Sequence, residues 1–250
     1  MKELIRFDNL HKSFGTHRVY EGLSLHVLRG ETLAVMGASG TGKSVLLKTL
    51  IGLLAPDEGQ VLFEGEDVRT FDDARWRGLR QRVAMVFQGA ALFDSMTVFE
   101  NVAYPLRLKT PPVDSRMIVS RVKEVLSMVN LSFEQVAALR PVELSGGMAR
   151  RVGLARALAV EPEVILWDEP TAGLDPQSRR TINTLIVSMK RRLNVTSMVV
   201  THDLASAFAV SDRLALLANR RIVEVGNEET LRASTCLEVK QFLDERALEA

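Results

Sequence analysis

The sequence predicts an α/β fold built on a parallel sheet, and three observations predict it. Three apolar runs, "TLAVMG" (Thr32 to Gly37), "EVILWDEP" (Glu163 to Pro170) and "TSMVVTHD" (Thr196 to Asp203), have the character of strands buried on both faces. Helical patterns follow two of them, from Gly42 to Gly52 and from about Gln177 to Leu193. The first run opens into "GASGTGKS" (Gly37 to Ser44), a glycine-rich turn between strand and helix. Strands alternating with helices place the active groups of such a fold at the carboxyl ends of its strands.

The remaining elements follow in chain order. Leu4 to Leu10 alternates apolar and polar residues as a strand does, and "GLSLHVLRGE" (Gly22 to Glu31) reads as strand and turn. "APDEG" (Ala55 to Gly59) is a turn, "QVLFEGEDV" a short strand and hairpin, and "RVAMVFQ" (Arg82 to Gln88) a further buried strand. The segment from Gln88 to Arg107, "QGAALFDSMTVFENVAYPLR", is too apolar for a loop and too irregular for one helix. An amphipathic helix is predicted from Ser115 to Met128, with Ile118, Val122, Val125 and Val129 on its apolar face. Residues from about 89 to 160 are therefore mostly helical and look inserted into the sheet core. The tail "TLRASTCLEVKQFLDERALEA" reads as a short amphipathic helix. No repeat, low-complexity segment or long linker interrupts the chain, so a single domain is expected over 1–250. Its core and β subdomain occupy about 1–88 and 161–230, its helical subdomain about 89–160 and its C-terminal helix about 231–250.

Composition narrows the function classes. At 250 residues, 46% hydrophobic and 25% charged, the chain can bury a substantial core. Thirty-two basic residues against 31 acidic ones leave a net charge of +1, so the overall balance gives no pull toward nucleic acid or anionic lipid. A single cysteine, Cys236, excludes an internal disulfide framework. No window approaches the ~18 uninterrupted apolar residues of a membrane span, and "MKELIRFDNLHKSF" lacks the apolar core of a secretory signal. The protein is expected to stay in a reducing cytosol.

"GASGTGKS" fits the pattern G-x-x-x-x-G-K-[ST] in the context that the pattern requires. Its glycines let the backbone wrap a phosphate chain with N–H groups inward, and the following helix N-terminus favours negative charge. Lys43 would reach the β- and γ-phosphates and Ser44 would bind Mg²⁺. "VILWDEP" supplies the complementary acids. Asp168 at the strand tip can hold Mg²⁺ through water, and Glu169 can orient or deprotonate an attacking water; Trp167 reads as core packing. "LSGGM" (Leu144 to Met148) precedes a strongly helical stretch and makes a second Ser-Gly-Gly anion site. His202 closes the strand "MVVT", where an imidazole can meet a γ-phosphate or the catalytic carboxylate.

With these motifs in order, the chain resembles the ATP-binding cassette (ABC) ATPases over nearly its whole length. Gly37, Ala38, Ser39, Gly40, Thr41, Gly42, Lys43 and Ser44 are similar to the family's Walker A. Gln88 is similar to the Q-loop glutamine, which implies contact with Mg²⁺ or the attacking water, and Ser145, Gly146 and Gly147 are similar to the signature. Asp168 and Glu169 resemble Walker B and its catalytic glutamate, "AGLDP" the D-loop with Asp175 as its acid, and His202 the switch histidine. Phe14 looks like the aromatic that stacks on adenine. The resemblance implies a P-loop NTPase fold with a RecA-like parallel-sheet core, a small N-terminal antiparallel β subdomain and an inserted α-helical subdomain. It also implies a head-to-tail homodimer in which each signature covers the ATP held by the other copy's Walker A.

A transporter ATPase without a span needs a separate permease dimer, and the family places its docking surface beside the Q-loop. Leu92, Phe93, Met96, Val98 and Phe99 are the candidates for it. "LSGGMARRVGLARAL", with Met148 and Ala149 where many importer ATPases carry glutamines, and the segment from Gly89 to Arg107 look like the ATPases of the Mla/Mce-type phospholipid transport systems. "DEPTAGLDP" keeps the general cassette form. That resemblance implies transport of phospholipid between the inner membrane and the outer envelope, with outer-membrane lipid asymmetry as its purpose. It also implies a peripheral place on the cytoplasmic face of the inner membrane, an Mce-domain lipid-binding protein and a small STAS-domain subunit as partners, and no nucleic acid. The alternatives are a cassette ATPase for another cargo, such as amino acids or metal chelates, and a non-transport ABC ATPase acting on nucleic acid or ribosomes. A P-loop kinase has no use for Leu144 to Gly147.

Overall fold

A computed structural model describes residues 2–109 and 111–247. The chain begins with an antiparallel hairpin of β1 (Glu3–Phe14) and β2 (His17–Leu28), followed by β3 (Thr32–Met36), all of whose residues are buried. Helix α1 (Lys43–Leu50), β4 (Glu58–Phe63), the short β5 (Glu66–Asp67), α2 (Asp73–Arg82) and β6 (Val83–Val86) come next. A helical stretch then comprises α3 (Val98–Arg107), α4 (Ser115–Met128), α5 (Phe133–Val136) and α6 (Gly146–Leu158). The chain continues through β7 (Val164–Asp168), α7 (Pro176–Leu193), β8 (Thr196–Thr201), α8 (Leu204–Val210), β9 (Arg213–Ala218) and β10 (Arg221–Gly226). Helices α9 (Glu228–Arg232) and α10 (Leu237–Ala247) complete it.

The strands form two sheets, an antiparallel one in the order β2-β1-β4-β5 and a six-stranded one in the order β10-β9-β3-β8-β7-β6. In the larger sheet β9, β3, β8, β7 and β6 run parallel, and only the edge strand β10 is antiparallel. Alternating residues of this sheet supply two cores. Leu33, Val35, Val164, Leu166, Met198 and Val200 pack with Leu46, Leu47 and Leu50 of α1 and with the antiparallel sheet. Ile165, Trp167 and Val199 pack instead with Ile182, Ile186 and Met189 of α7, in one cluster with α3, α4 and α6. Both faces are covered, which is why these strands read as unbroken apolar runs. Trp167 is core, as the sequence predicts, with its indole N–H donating to Ser197 Oγ at 3.2 Å.

Several elements differ from the sequence expectation. Helix α1 starts at Lys43, because Gly42 lies at φ 99°, outside helical space. Helix α2 escapes the apolar pattern because Leu79 is its only fully buried residue. The tail is not one helix: Ser234 hydrogen-bonds the Glu224 carboxylate of β10 and accepts from the Cys236 N–H, which separates α9 from α10. Residues 248–250 of that expected helix lie outside the described residues.

The segment after Gln88 is a pinned turn followed by a helix. Thr97 and Glu100 form a capping box that starts α3. Asn101, fully buried, accepts the Phe93 N–H through Oδ1 at 2.8 Å and donates from Nδ2 to the carbonyls of Phe93, Met96 and Thr97 at 3.0–3.2 Å. One side chain therefore sets the path of Phe93 to Thr97. Val98 is also fully buried, so it packs the subdomain core and is not a docking residue as expected. Phe99 is half-buried, edge-on to Phe133. Asn101→Ala removes the acceptor of the Phe93 N–H and a donor to three carbonyls, of which those of Phe93 and Thr97 keep backbone partners, and is expected to lower the unfolding free energy by about 1–3 kcal/mol. Urea unfolding monitored by circular dichroism checks this; a loss within about 0.5 kcal/mol, the scale of an ordinary surface substitution, contradicts it.

Candidate functional site

The site lies where β3, β8 and β7 end together. Register pairs Met36 with Thr201 and Val200 with Asp168, so the residues after each strand emerge at one level. After β3 the chain enters the Gly37 to Ser44 turn. A Cβ on Gly37 would meet the Leu217 carbonyl oxygen at 2.5 Å, and one on Gly42 would meet Val19 Cγ1 at 2.3 Å, so both positions need glycine to let the turn pack. Buried Tyr20 supports the turn from below, its hydroxyl donating to the Gly42 carbonyl at 2.5 Å. Burial pushes the Tyr20 phenol well above its usual pKa, which keeps it a neutral donor. Ala38, Ser39 and Gly40 form the exposed crest, and Thr41 ties it down by donating from Oγ1 to the Ala38 carbonyl at 2.9 Å.

Five charged or polar side chains meet below that crest. Lys43 is buried, with Nζ donating to the carbonyls of Gly37 at 2.9 Å and Ala38 at 3.0 Å and lying 3.9 Å from Glu169 Oε1. Ser44 Oγ donates to Asp168 Oδ1 at 2.5 Å. Glu169 sits at φ 48°, a left-handed conformation uncommon for a residue other than glycine. Its N–H donates to the Val200 carbonyl at 2.9 Å, and its Oε2 lies 2.8 Å from His202 Nδ1. Such an arrangement offers a cation and inward N–H groups to a polyphosphate. It also offers hard oxygens to a divalent ion, and a carboxylate oriented by an imidazole to a reacting water.

Other residues singled out in the sequence lie apart from this cluster. Gln88 is exposed on the turn after β6 and makes no hydrogen bond to Ser44, Asp168 or Glu169 among the described residues. Phe14 is exposed at the end of β1, 5.3 Å from Lys12 Nζ, and Lys12 pairs in register with Tyr20 beneath the glycine-rich turn. Ser145 caps α6 by accepting the Met148 N–H, and Gly146 and Gly147 form the first turn beside Ser178 at the start of α7. Asp175, the acid of the D-loop-like segment, accepts the N–H groups of Gln177 and Ser178 through Oδ1 at 3.0 Å and caps α7. A hydrogen bond with the Ser178 side chain, together with those N–H groups, holds its carboxyl below the usual range.

Three contributors escaped the sequence reading. Tyr20 gives no motif signal. Arg150 lies just past the Ser-Gly-Gly segment and donates to the carbonyls of Pro170, at 2.7 Å, and Ala172, so α6 holds the loop after Glu169. Tyr104 packs against Phe93 with ring centroids 4.9 Å apart and the rings tilted by 55°, and both rings are exposed.

Residues 20–172 match the family model described as ABC transporter. The chain is 42% identical over 230 residues to the Intermembrane phospholipid transport system ATP-binding protein MlaF of Escherichia coli (strain K12), covering 92% of this chain and 84% of that protein. It is 38% identical over 244 residues to the "Probable ribonucleotide transport ATP-binding protein mkl" of Mycobacterium tuberculosis (strain ATCC 25618 / H37Rv), covering 98% of this chain and 67% of that one. A dimeric structure of an ATP-binding cassette in a post-hydrolysis state, bound to ADP and Pi, superposes with a TM-score of 0.81. It is 30% identical and covers 90% of this chain and 98% of that one. The chain belongs to the ABC transporter family, as one of its ATP-hydrolysing cassettes.

Proposed function

We propose that this ABC ATPase is the motor of a phospholipid transporter and works as a head-to-tail homodimer on the cytoplasmic face of the inner membrane. The observation that carries the motor reading is the convergence of Lys43, Ser44, Asp168, Glu169 and His202 at the ends of adjacent parallel strands. Lys43 would exchange the Gly37 and Ala38 carbonyls for the β- and γ-phosphates of ATP. The hydroxyl and carboxylate of Ser44 and Asp168, already 2.5 Å apart, fit Mg²⁺, and Gln88 would approach from the next strand. When bound, Mg²⁺ neutralises charge developing between the β- and γ-phosphates. Glu169 orients a water and takes its proton, while His202 fixes the carboxylate that does so. Phe14, exposed at the end of β1, is free to stack on adenine.

The signature residues Ser145, Gly146 and Gly147 have no hydrogen bond to this cluster among the described residues. That fits their closing over ATP held by a second copy, and the dimeric cassettes of similar fold support it. No helix among the described residues is long and apolar enough to cross a membrane, so transport needs a separate permease. The tilted Phe93–Tyr104 pair, flanked by half-buried Leu92 and Met96, offers an apolar surface to a permease helix. Phospholipid as cargo is supported by the 42% identity to the Escherichia coli protein named for that transport. An Mce-domain lipid-binding protein and a small STAS-domain subunit are the further partners this reading brings. A second reading, with nucleotides as cargo, is favoured by the mycobacterial relative's name. Reconstitution with its permease in proteoliposomes decides between them. ATP-dependent transfer of labelled phospholipid supports the first, and transfer of ribonucleotide without lipid overturns it.

Replacing the proposed base, as Glu169→Gln, should leave ATP binding intact and cut turnover by about a hundredfold or more; turnover within about threefold of the unmodified chain removes Glu169 from that role. Lys43→Ala should raise the Kd for Mg-ATP by at least about tenfold, the loss of one charge-assisted contact to phosphate, as read by fluorescent-nucleotide titration. The double substitution Phe93→Ala/Tyr104→Ala should weaken co-purification with the permease while the isolated chain keeps its nucleotide affinity. Undiminished co-purification places the docking surface elsewhere.

A further inference from the structure

Helix α6 carries more than the signature at its start. Arg156 donates from Nη1 to the Ala91 carbonyl at 2.8 Å and from Nη2 to the Ala90 carbonyl at 3.0 Å. Its guanidinium lies 5.7 Å from the centroid of the Phe93 ring. One turn earlier Gly153 lets the helix approach the same loop: a Cβ there would meet the Ala90 carbonyl oxygen at 3.0 Å and Ala90 Cα at 3.4 Å. The two alanines so held are both left-handed, Ala90 at φ 60° and Ala91 at φ 48°. L-residues avoid that conformation, and two in succession persist only where the surroundings impose it. Burial lowers the Arg156 pKa, and no carboxylate pairs with it among the described residues, so the two carbonyls are its main polar compensation. An arginine fork matches two such acceptors; a lysine ammonium does not.

The loop in question connects Gln88 to Phe93. We infer that Arg156 is a positioning residue that locks the Gln88 to Phe93 turn onto the signature helix. Gln88, the exposed Phe93–Tyr104 pair and Ser145 to Gly147 then move as one body. Nucleotide-driven displacement of the signature thereby carries the glutamine and the docking surface with it. The inference rests on the roles proposed above for Gln88 and the signature.

The test uses the full chain with Mg-ATP as the probe, reading kcat, nucleotide Kd and thermal midpoint in each variant. Arg156→Lys should keep Kd within about threefold, since the Walker A residues are untouched, and lower kcat by about tenfold or more through misplacement of the loop. Adding Ala91→Gly, which removes the penalty of a left-handed L-residue, should recover kcat by about fivefold in that background. A purely structural arginine would lower the thermal midpoint and would not be rescued in this way. Unchanged kcat in Arg156→Lys, or a loss that Ala91→Gly leaves uncorrected, overturns the inference. Gln88→Ala separates the two levels. If it lowers kcat while Arg156→Lys does not, the positioning role alone fails; if it leaves kcat unchanged, the Gln88 role fails and takes this inference with it. Should Arg156→Lys not fold, Gly153→Ala, which presses a methyl group on the Ala90 carbonyl and keeps the arginine, decides by the same kcat criterion.

Discussion

The parallel register of β3, β8 and β7 is the constraint on which the rest of the structure depends. Because the ladders pair Met36 with Thr201 and Val200 with Asp168, residues far apart in sequence end at one height. The Ser44–Asp168 hydrogen bond and the Glu169–His202 contact follow from that height. A parallel sheet is stable only when helices return the chain and cover both faces. Here α1 covers one face and α7 the other, with the antiparallel sheet and the helical stretch extending those two cores. A slip of one residue in any strand would exchange its two faces and separate the charged groups.

Charge is held in this molecule in two different ways. At the site, Lys43 and Asp168 are each less than a tenth exposed and are compensated by hydrogen bonds to backbone and hydroxyl groups. Far from it, Arg29, Glu64, Arg82 and Glu163 form a network joining the β2–β3 turn, the β4–β5 turn, the end of α2 and the start of β7. Those side chains are 36–42% exposed, so solvent screens each pair and its worth is at most about 1 kcal/mol. The apolar cluster beneath, with Val83 and Val164 at 4% exposure or less, does more to hold the two sheets together.

Helix α6 ties two loops around the site to the helical stretch. Ser145 caps its N-terminus, Arg150 holds the loop after Glu169, and Arg156 holds the loop after Gln88. Val152, Leu154, Ala155 and Leu158 bury it within the core shared by the helical stretch and the sheet. Burial lowers the pKa of both arginines, and bonds from a cationic guanidinium to carbonyl oxygens are stronger than neutral ones.

By itself the sequence determined the three parallel strands, the glycine-rich turn, the order of the motifs and helix α4 at Ser115–Met128. Each depends on local periodicity or on a residue type that backbone geometry demands: unbroken apolar runs, Gly37 and Gly42 where no Cβ fits, an apolar face at Ile118, Val122 and Val125. Helix α2 was hidden because its pattern is almost wholly polar, and the break between α9 and α10 because Ser234 answers to Glu224 on a neighbouring strand. Val98 and Tyr104 look alike in a greasy segment, yet one is buried and the other exposed. Asp175 carries a family motif while its carboxylate caps a helix. Tyr20 beneath the glycine turn and Arg156 across the Ala90–Ala91 loop were decided by tertiary structure alone, because both contacts need strands and helices distant in sequence to be placed first.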